Sequence, residues 1–514
     1  MRLPAGLLAF MAVGASLAGC GRKAPAFTDV TAKALPGFVQ TFEKAGLERG
    51  LPSGGALALF DADGDGRPDL YVARASGRRE DSSDLLLLNN GDGAFRDATK
   101  TAGIAGAGFG LGAAAADYDN DGRVDLYVTN RGGGALYHND GNGAFTDVTA
   151  KAGLGGGRLS LGAVFADLDC SGALDLVVPF FAGAKSAGIL LFKNNGNGTF
   201  TEAGAGAGIT GLGAHGAAFV SDFDHDRDAD ILVAGMDGGV AAYLNDRPKG
   251  FKEDSRAHGL GAAWGARGLV AEDFDNDRYR DLFALSTGCA LNRLFGRKGY
   301  GPYQEAGPGR TDLGRGGTHA AALDFDNDGW LDLLISGACR TGAGGFLLLR
   351  NRADGGFDDA AALLPIPEPE QGTAGNFALA DYDGDGDADI FLIRDGVRVT
   401  VLRNDVGNKN RWVGVELKGR QGSGKDGFGA KVEVKAGELW VERELTGANG
   451  GSSQAPAPLL FGLGKRDKAD LVRVTWPTGI RQSLVDVPAG QTVRVTEKRG
   501  RPAGHAFIEV VEAR

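Results

Sequence analysis

Carboxylates recur in this sequence at a spacing suited to holding a hard divalent cation. Seven segments read DADGDGRPDL, DYDNDGRVDL, DLDCSGALDL, DFDHDRDADI, DFDNDRYRDL, DFDNDGWLDL and DYDGDGDADI. Positions one, three, five and nine of each carry a side-chain oxygen. These are Asp61, Asp63, Asp65 and Asp69; Asp117, Asp119, Asp121 and Asp125; Asp167, Asp169, Ser171 and Asp175; Asp222, Asp224, Asp226 and Asp230; Asp273, Asp275, Asp277 and Asp281; Asp324, Asp326, Asp328 and Asp332; and Asp381, Asp383, Asp385 and Asp389. Alternating carboxylates across a tight turn converge on one point. Calcium takes about six to eight oxygens at ~2.3–2.6 Å, with a backbone carbonyl at position seven among them, and tolerates a crowded all-protein cage better than magnesium does. The expectation is up to seven Ca²⁺ ions. Gly at position six permits a positive φ in the loops at Asp61, Asp117, Asp324 and Asp381. Ser171 removes a charge from the loop at Asp167, and Arg227 and Arg278 replace the glycine at Asp222 and Asp273. Those three sites are expected to be the weakest.

The loops recur every 50 to 57 residues, and an aromatic residue (Phe95, Phe145, Phe200, Phe251, Tyr303, Phe357) stands 21 to 24 residues before the next loop. Such regularity marks one folded unit repeated. Each unit carries four short strand-like runs separated by Gly, Asn and Asp. In the second they are Ala113 to Ala116, Asp125 to Thr129, Ala135 to His138 and Phe145 to Thr149. Four strands per repeat, the innermost rich in alanine, is the pattern of a β-propeller blade. Residues 27–34 and 145–152 share the letters FTDVTAKA, so the N-terminal segment reads as a fourth strand without the preceding three. The last repeat lacks that strand. Supplying it from the N-terminus would close a ring and remove a sheet edge; an open solenoid would instead need end caps. The expected fold is all-β: a seven-bladed β-propeller over 27–405, closed by the N-terminal strand. A small β-sandwich or barrel-like domain over 406–497 and a tail over 498–514 follow. In that domain Trp412 to Lys418, Ala430 to Lys435, Leu439 to Leu445, Leu471 to Trp476 and Thr492 to Thr496 read as strands.

Residues 1–19 hold one cation, Arg2, then an apolar stretch ending in small residues before Cys20. This is the pattern of a cleaved export signal. The segment Leu17-Ala18-Gly19-Cys20 resembles a bacterial lipobox, which implies lipidation of Cys20 and a short linker over 20–26. The expectation is an exported, membrane-anchored lipoprotein held only by its N-terminal lipid. Of the remaining cysteines, Cys289 and Cys339 stand at nearly the same offset in successive repeats, so a disulfide between neighbouring loops is open to them; Cys170 reads as a free, packed thiol.

No apolar run long enough to span a bilayer follows the N-terminus. The 514 residues include 66 acidic and 55 basic ones, for a formal charge of −11. An acidic surface repels phosphate backbones, so nucleic acid is an unsuitable partner. The segment GRQGSGKD from Gly419 fails as a phosphate loop because Asp426 stands where Ser or Thr must meet the metal. His215 and His319 shortly precede acidic loops, and their bland reading is as hydrogen-bonded residues of a channel rather than a metal or acid–base pair.

The acidic loops, together with NNGDGAF, NDGNGAF and NNGNGTF, resemble FG-GAP/VCBS repeats. The stretches GFGAKVEVKAG from Gly427, SSQAPAPLLFGLG from Ser452 and VRVTWPTG from Val472 are similar to the ASPIC/UnbV domain. In this order the parts resemble the cartilage acidic protein 1 family. The resemblance implies a calcium-binding seven-bladed propeller followed by a small β-rich domain, and no established chemistry. Without a catalytic residue to name, the expected role is a non-catalytic binding, adhesion or scaffold module for a protein or glycan ligand at the cell envelope. The alternative is a calcium-dependent polysaccharide lyase or hydrolase, which needs a Lys, Arg, His or Tyr base facing a cleft.

Overall fold

The computed structural model describes residues 26–36, 55–73, 84–104, 110–130, 132–156, 158–181, 188–209, 215–235, 238–261, 264–306, 314, 316–340, 343–366, 374–394, 398–420, 422–450, 453–499 and 506–510. Each acidic loop joins the first two strands of an antiparallel sheet. In the second repeat Gly110–Ala116 pairs with Asp125–Asn130, that strand with Ala135–Gly141, and that one with Ala144–Asp147. The same order of four holds in the sheets that begin with Ala56–Phe60, His215–Ser221, Ala266–Glu272 and His319–Leu323. In the third repeat the first strand is broken: Leu159–Ser160 and Val164–Ala166 both pair with Asp175–Phe181. The last sheet takes Ala374–Ala380, Asp389–Arg394 and Arg398–Asn404, and its fourth strand is Phe27–Asp29, with Phe27 opposite Asn404. This is a β-propeller fold.

The first strands lie against one another, which is why alanine and glycine dominate them. Ala113 to Ala116 are fully buried, and Ala56–Phe60 packs against both Gly110–Ala116 and Ala374–Ala380. Apolar layers fill the spaces between neighbouring sheets. One layer joins Leu57, Leu59 and Leu70 to Phe391, Ile393 and Val401, and so ties the first sheet to the last. The fourth strands are shorter than their sequence suggests. In place of the expected Phe145 to Thr149, the strand stops at Asp147, whose Oδ1 accepts from the backbone N and Oγ1 of Thr149 and turns the chain into the helical turn Thr149–Ala152. Asp29 and Asp97 turn their strands in the same way.

The C-terminal domain consists of two sheets. Arg411–Lys418 lies between Leu459–Gly464 and Gln491–Thr496; Leu439–Glu444, Lys431–Ala436, Lys468–Thr475, Arg481–Pro488 and Ala506–Val510 form the other. The strands Leu459–Gly464 and Arg481–Pro488 were not expected from sequence. The tail strand Ala506–Val510 pairs in parallel with Arg481–Pro488. The core of this domain, with Val432, Val434, Val472, Val474 and Trp476, is continuous with Tyr118 and Phe165 of the propeller. A hairpin reaches further: Ser453–Gln454 runs parallel to Ala113 and Ala114, and the Gln454 side chain accepts from Phe165 N at 2.7 Å and donates to Phe165 O at 2.9 Å. Among the described residues no helix is long and apolar enough to cross a membrane.

Phe27 is 1% exposed and lies 6.2 Å from the Phe325 ring. Phe27→Ala should therefore lower the stability of the whole chain by about 3–5 kcal/mol in urea unfolding. A loss under about 1 kcal/mol would show that the N-terminal strand is a peripheral attachment.

Candidate metal-binding loops

The turn is built by its first aspartate. Oδ1 of Asp117 accepts the Asp121 amide at 2.9 Å and Oδ2 the Gly122 amide at 2.8 Å. The same two-oxygen capture occurs at Asp61, Asp167, Asp273, Asp324 and Asp381. Position six has positive φ in all seven loops, including Arg227 at 79° and Arg278 at 70°. Position four does so as well, which sequence reasoning missed: Gly64, Asn120, Cys170, His225, Asn276, Asn327 and Gly384 all take left-handed conformations. The predominance of Gly and Asn there was the available signal.

Carboxylate oxygens converge as the spacing requires. Asp61, Asp63 and Asp69 each offer an oxygen within 4.8 Å of the others, as do Asp117, Asp119 and Asp125, and Asp273, Asp275 and Asp281. Asp222, Asp224 and Asp226 converge likewise. These clusters could hold a metal ion. Burial and mutual repulsion push the carboxyls upward: Asp69 to about 7, Asp125 to about 9, and Asp230 and Asp281 to about 8, with desolvation the largest cause in each. Such groups are ill at ease as bare anions. The Oδ2 of Asp125 is buried without a hydrogen-bond partner, as is Oδ1 of Asp326. A cation would satisfy both, so the residues present fit a metal.

The ninth-position aspartate also connects each loop to its surroundings. Its Oδ1 accepts the amide of an asparagine at the end of the third strand: Asn89, Asn139, Asn194, Asn245, Asn351 and Asn404, at 2.7–2.8 Å. The side chain of each asparagine then donates to the position-two carbonyl of the preceding repeat's loop. Asn139 reaches Ala62, Asn194 reaches Tyr118, Asn245 reaches Leu168, Asn351 reaches Phe274 and Asn404 reaches Phe325. Asn89 reaches Tyr382 of the last repeat at 2.9 Å. The remaining carbonyl, that of Phe223, receives Nη1 of Arg297 instead. The Asn residues were visible in the sequence, within NNGDGAF and its relatives, but their partners were not.

The C-terminal domain covers this same face. Asp426 accepts the Asp117 amide at 2.6 Å, the use to which the GRQGSGKD segment is put. Asn410 Nδ2 donates to Asp326 O at 2.6 Å and Gly464 N to Asn327 O at 2.9 Å. The Arg278 guanidinium stacks on the Trp440 ring at 4.9 Å. Between the domains lies a cavity of about 950 Å³, lined by the loops at Asp61 and Asp381 and by Glu416, Lys418 and Arg494.

The family described as FG-GAP-like repeat matches residues 61–128, 117–178, 222–284, 273–335 and 324–392, more than half of the chain. The family described as ASPIC and UnbV matches residues 419–502. This chain belongs to the FG-GAP-like repeat family and carries an ASPIC/UnbV domain. It is similar to cartilage acidic protein 1 of Xenopus tropicalis, at 26% identity over 54% of this chain and 47% of the relative, and to that of Mus musculus, at 28% over 56% and 38%. The chain thus spans less than half the length of these relatives. Among solved structures it is similar to the BP39L lectin from Burkholderia pseudomallei, at 11% identity and a TM-score of 0.46, covering 68% of this chain and 96% of that one.

The other candidates in these FG-GAP repeats fall as follows. Cys289 and Cys339 are bridged, their Cα atoms 5.6 Å apart. Cys170 is free, and burial with Asp167 nearby pushes its thiol up to about 11. His319 lines a small cavity with Arg267, and burial lowers its imidazole to about 3, so it is neutral there. The side chain of His215, like all of Cys20, lies outside the described residues.

Removing one asparagine should leave buried carbonyls of Ala62 and Val124 without the Asn139 side chain as donor. Asn139→Ala is expected to cost about 1–3 kcal/mol in urea unfolding. A loss within about 0.5 kcal/mol would mean that the inter-repeat link contributes nothing.

Proposed function

We propose that the chain is a calcium-stabilised binding or adhesion module held at the cell envelope. In this reading the sheets of its seven repeats are the blades of one propeller, closed by Phe27–Asp29 and capped on the acidic face by the ASPIC/UnbV domain. The observation that carries the reading is the convergence of buried carboxylates in the FG-GAP loops, with Asp125 Oδ2 left unpaired. All-oxygen sites of this kind suit calcium. The loops at Asp61, Asp117, Asp324 and Asp381 are its best sites. Ser171 weakens the site at Asp167, where Lys193 Nζ already stands 2.7 Å from Asp169. The loop at Asp273 keeps a converging set, and its Arg278 cation is spent on Trp440.

Export is supported by the Cys289–Cys339 bridge, since such bonds persist in oxidising compartments, and by the lipobox-like segment before Cys20. The ligand is a protein or glycan. The inter-domain cavity, walled by metal loops on one side and by Lys418 and Arg494 on the other, is of the size that takes small ligands.

Arrays of glycans and extracellular proteins, probed with calcium-loaded protein, should give ligands whose retention is lost in EDTA. Retention that is indifferent to EDTA would contradict a calcium-dependent module. Labelling with radioactive palmitate should mark the wild type and leave Cys20→Ala unlabelled. Equal labelling of both would remove the lipid anchor from the account.

A further inference from the structure

We propose that the loop at Asp222 takes no calcium and is closed instead by the ammonium of Lys431, supplied by the C-terminal domain. This rests on the calcium reading of the other loops and refines it for one of them.

Two observations separate this loop from the rest. In the other six, both oxygens of the first aspartate accept amides of their own loop. At Asp222 one oxygen accepts the Arg227 amide at 3.1 Å and the other receives Lys431 Nζ at 2.6 Å. Both positive-φ positions carry basic residue types, His225 at 67° and Arg227 at 79°, where the fully glycine-bearing loops carry none.

Lys431 is not a mobile surface cation. Lys193 on Asp169 and Arg350 on Asp326 reach loop carboxylates from their own sheets and stay 56% and 48% exposed; the buried Arg443 of the C-terminal domain comes only to 4.0 Å of Asp324, whose two oxygens are already taken by loop amides. The Lys431 side chain is 18% exposed and that of Asp222 10%. The lysine begins the strand Lys431–Ala436, opposite both Glu444 and Thr475. Glu444 is itself fixed at the interface, accepting from Ser221 Oγ at 2.9 Å and from Arg280 Nη2 at 3.1 Å. The ammonium is therefore delivered by a braced strand to one chosen oxygen. A divalent ion placed among Asp222, Asp224 and Asp226 would share that carboxylate with a fixed positive charge, and repulsion at such a distance in a half-buried site is strong. The Asp222 loop thus becomes a metal-independent strut between the domains, and the chain binds no more than six ions.

The test is the number of calcium ions held by the full chain, counted by native mass spectrometry. Asp222→Asn should leave the wild-type count unchanged, while Asp117→Asn lowers it by one. Lys431→Met combined with Arg227→Gly, which rebuilds the loop without either cation, should raise it by one. A count that falls by one in Asp222→Asn, or that fails to rise in the double variant, overturns the proposal. If the double variant does not fold, Asp222→Asn alone decides. A wild-type chain that holds no calcium at all would end the calcium reading itself, and this inference with it; that result is distinct from a calcium-bound chain in which only the Asp222 comparison fails.

Discussion

Burying a carboxylate is costly unless its charge is met, and this fold buries one in every repeat. The ninth-position aspartate sits where the second strand begins, with Asp69 and Asp230 fully buried and Asp389 likewise. Loop amides answer part of the charge. In five loops the position-two amide and the asparagine amide take one oxygen each; Asp281 accepts the Phe274 amide, and at Asp125 the Tyr118 amide goes to Ala116 O, so that Oδ2 is left over. Around each such aspartate stand two or three further carboxylates, which raise its affinity for protons and for cations alike. A cation bound among these oxygens would couple loop closure to its own binding, because the gathered carboxylates repel one another without it.

The consequences spread through hydrogen bonds. The aspartate that would hold the ion also holds an asparagine amide, and that asparagine reaches across to the preceding repeat. Ordering one loop therefore helps to fix the edge of its neighbour, and Asn89 carries the same link from the first repeat to the last. Arg297 shows that the contact is constrained by position more than by residue type: a longer donor, also stacked over Phe223 and Tyr303, serves the same carbonyl. The C-terminal domain uses the outer side of the same turns through Asp426, Asn410 and Lys431, so the acidic face is also the docking face.

Much of this was legible in the residues. The carboxylate spacing located all seven loops, the alanine runs located the inner strands, and the repeated FTDVTAKA marked the segment at Phe27 as a fourth strand; its register opposite Asn404 came only from the structure. Contacts that depend on long-range pairing were hidden. Nothing in the neighbourhood of Asn139 points to Ala62, because the two come together only once separate sheets stack. No strand was expected at Ser453–Gln454, whose pairing partner is the inner strand of another domain. The stacking of Arg278 on Trp440 was equally hidden, since the two lie far apart along the chain. Strand ends were misjudged where a single Asx turn, as at Asp147, overrides β-propensity.

The most direct test of the central claim is scanning calorimetry of the chelated full-length protein as calcium is titrated in. The account expects a low melting temperature in EDTA that climbs with the logarithm of free calcium, because each ion bound only by the folded state adds about 2.7 kcal/mol at a concentration of about 100 times its Kd. Superimposable melting curves across that range would contradict it.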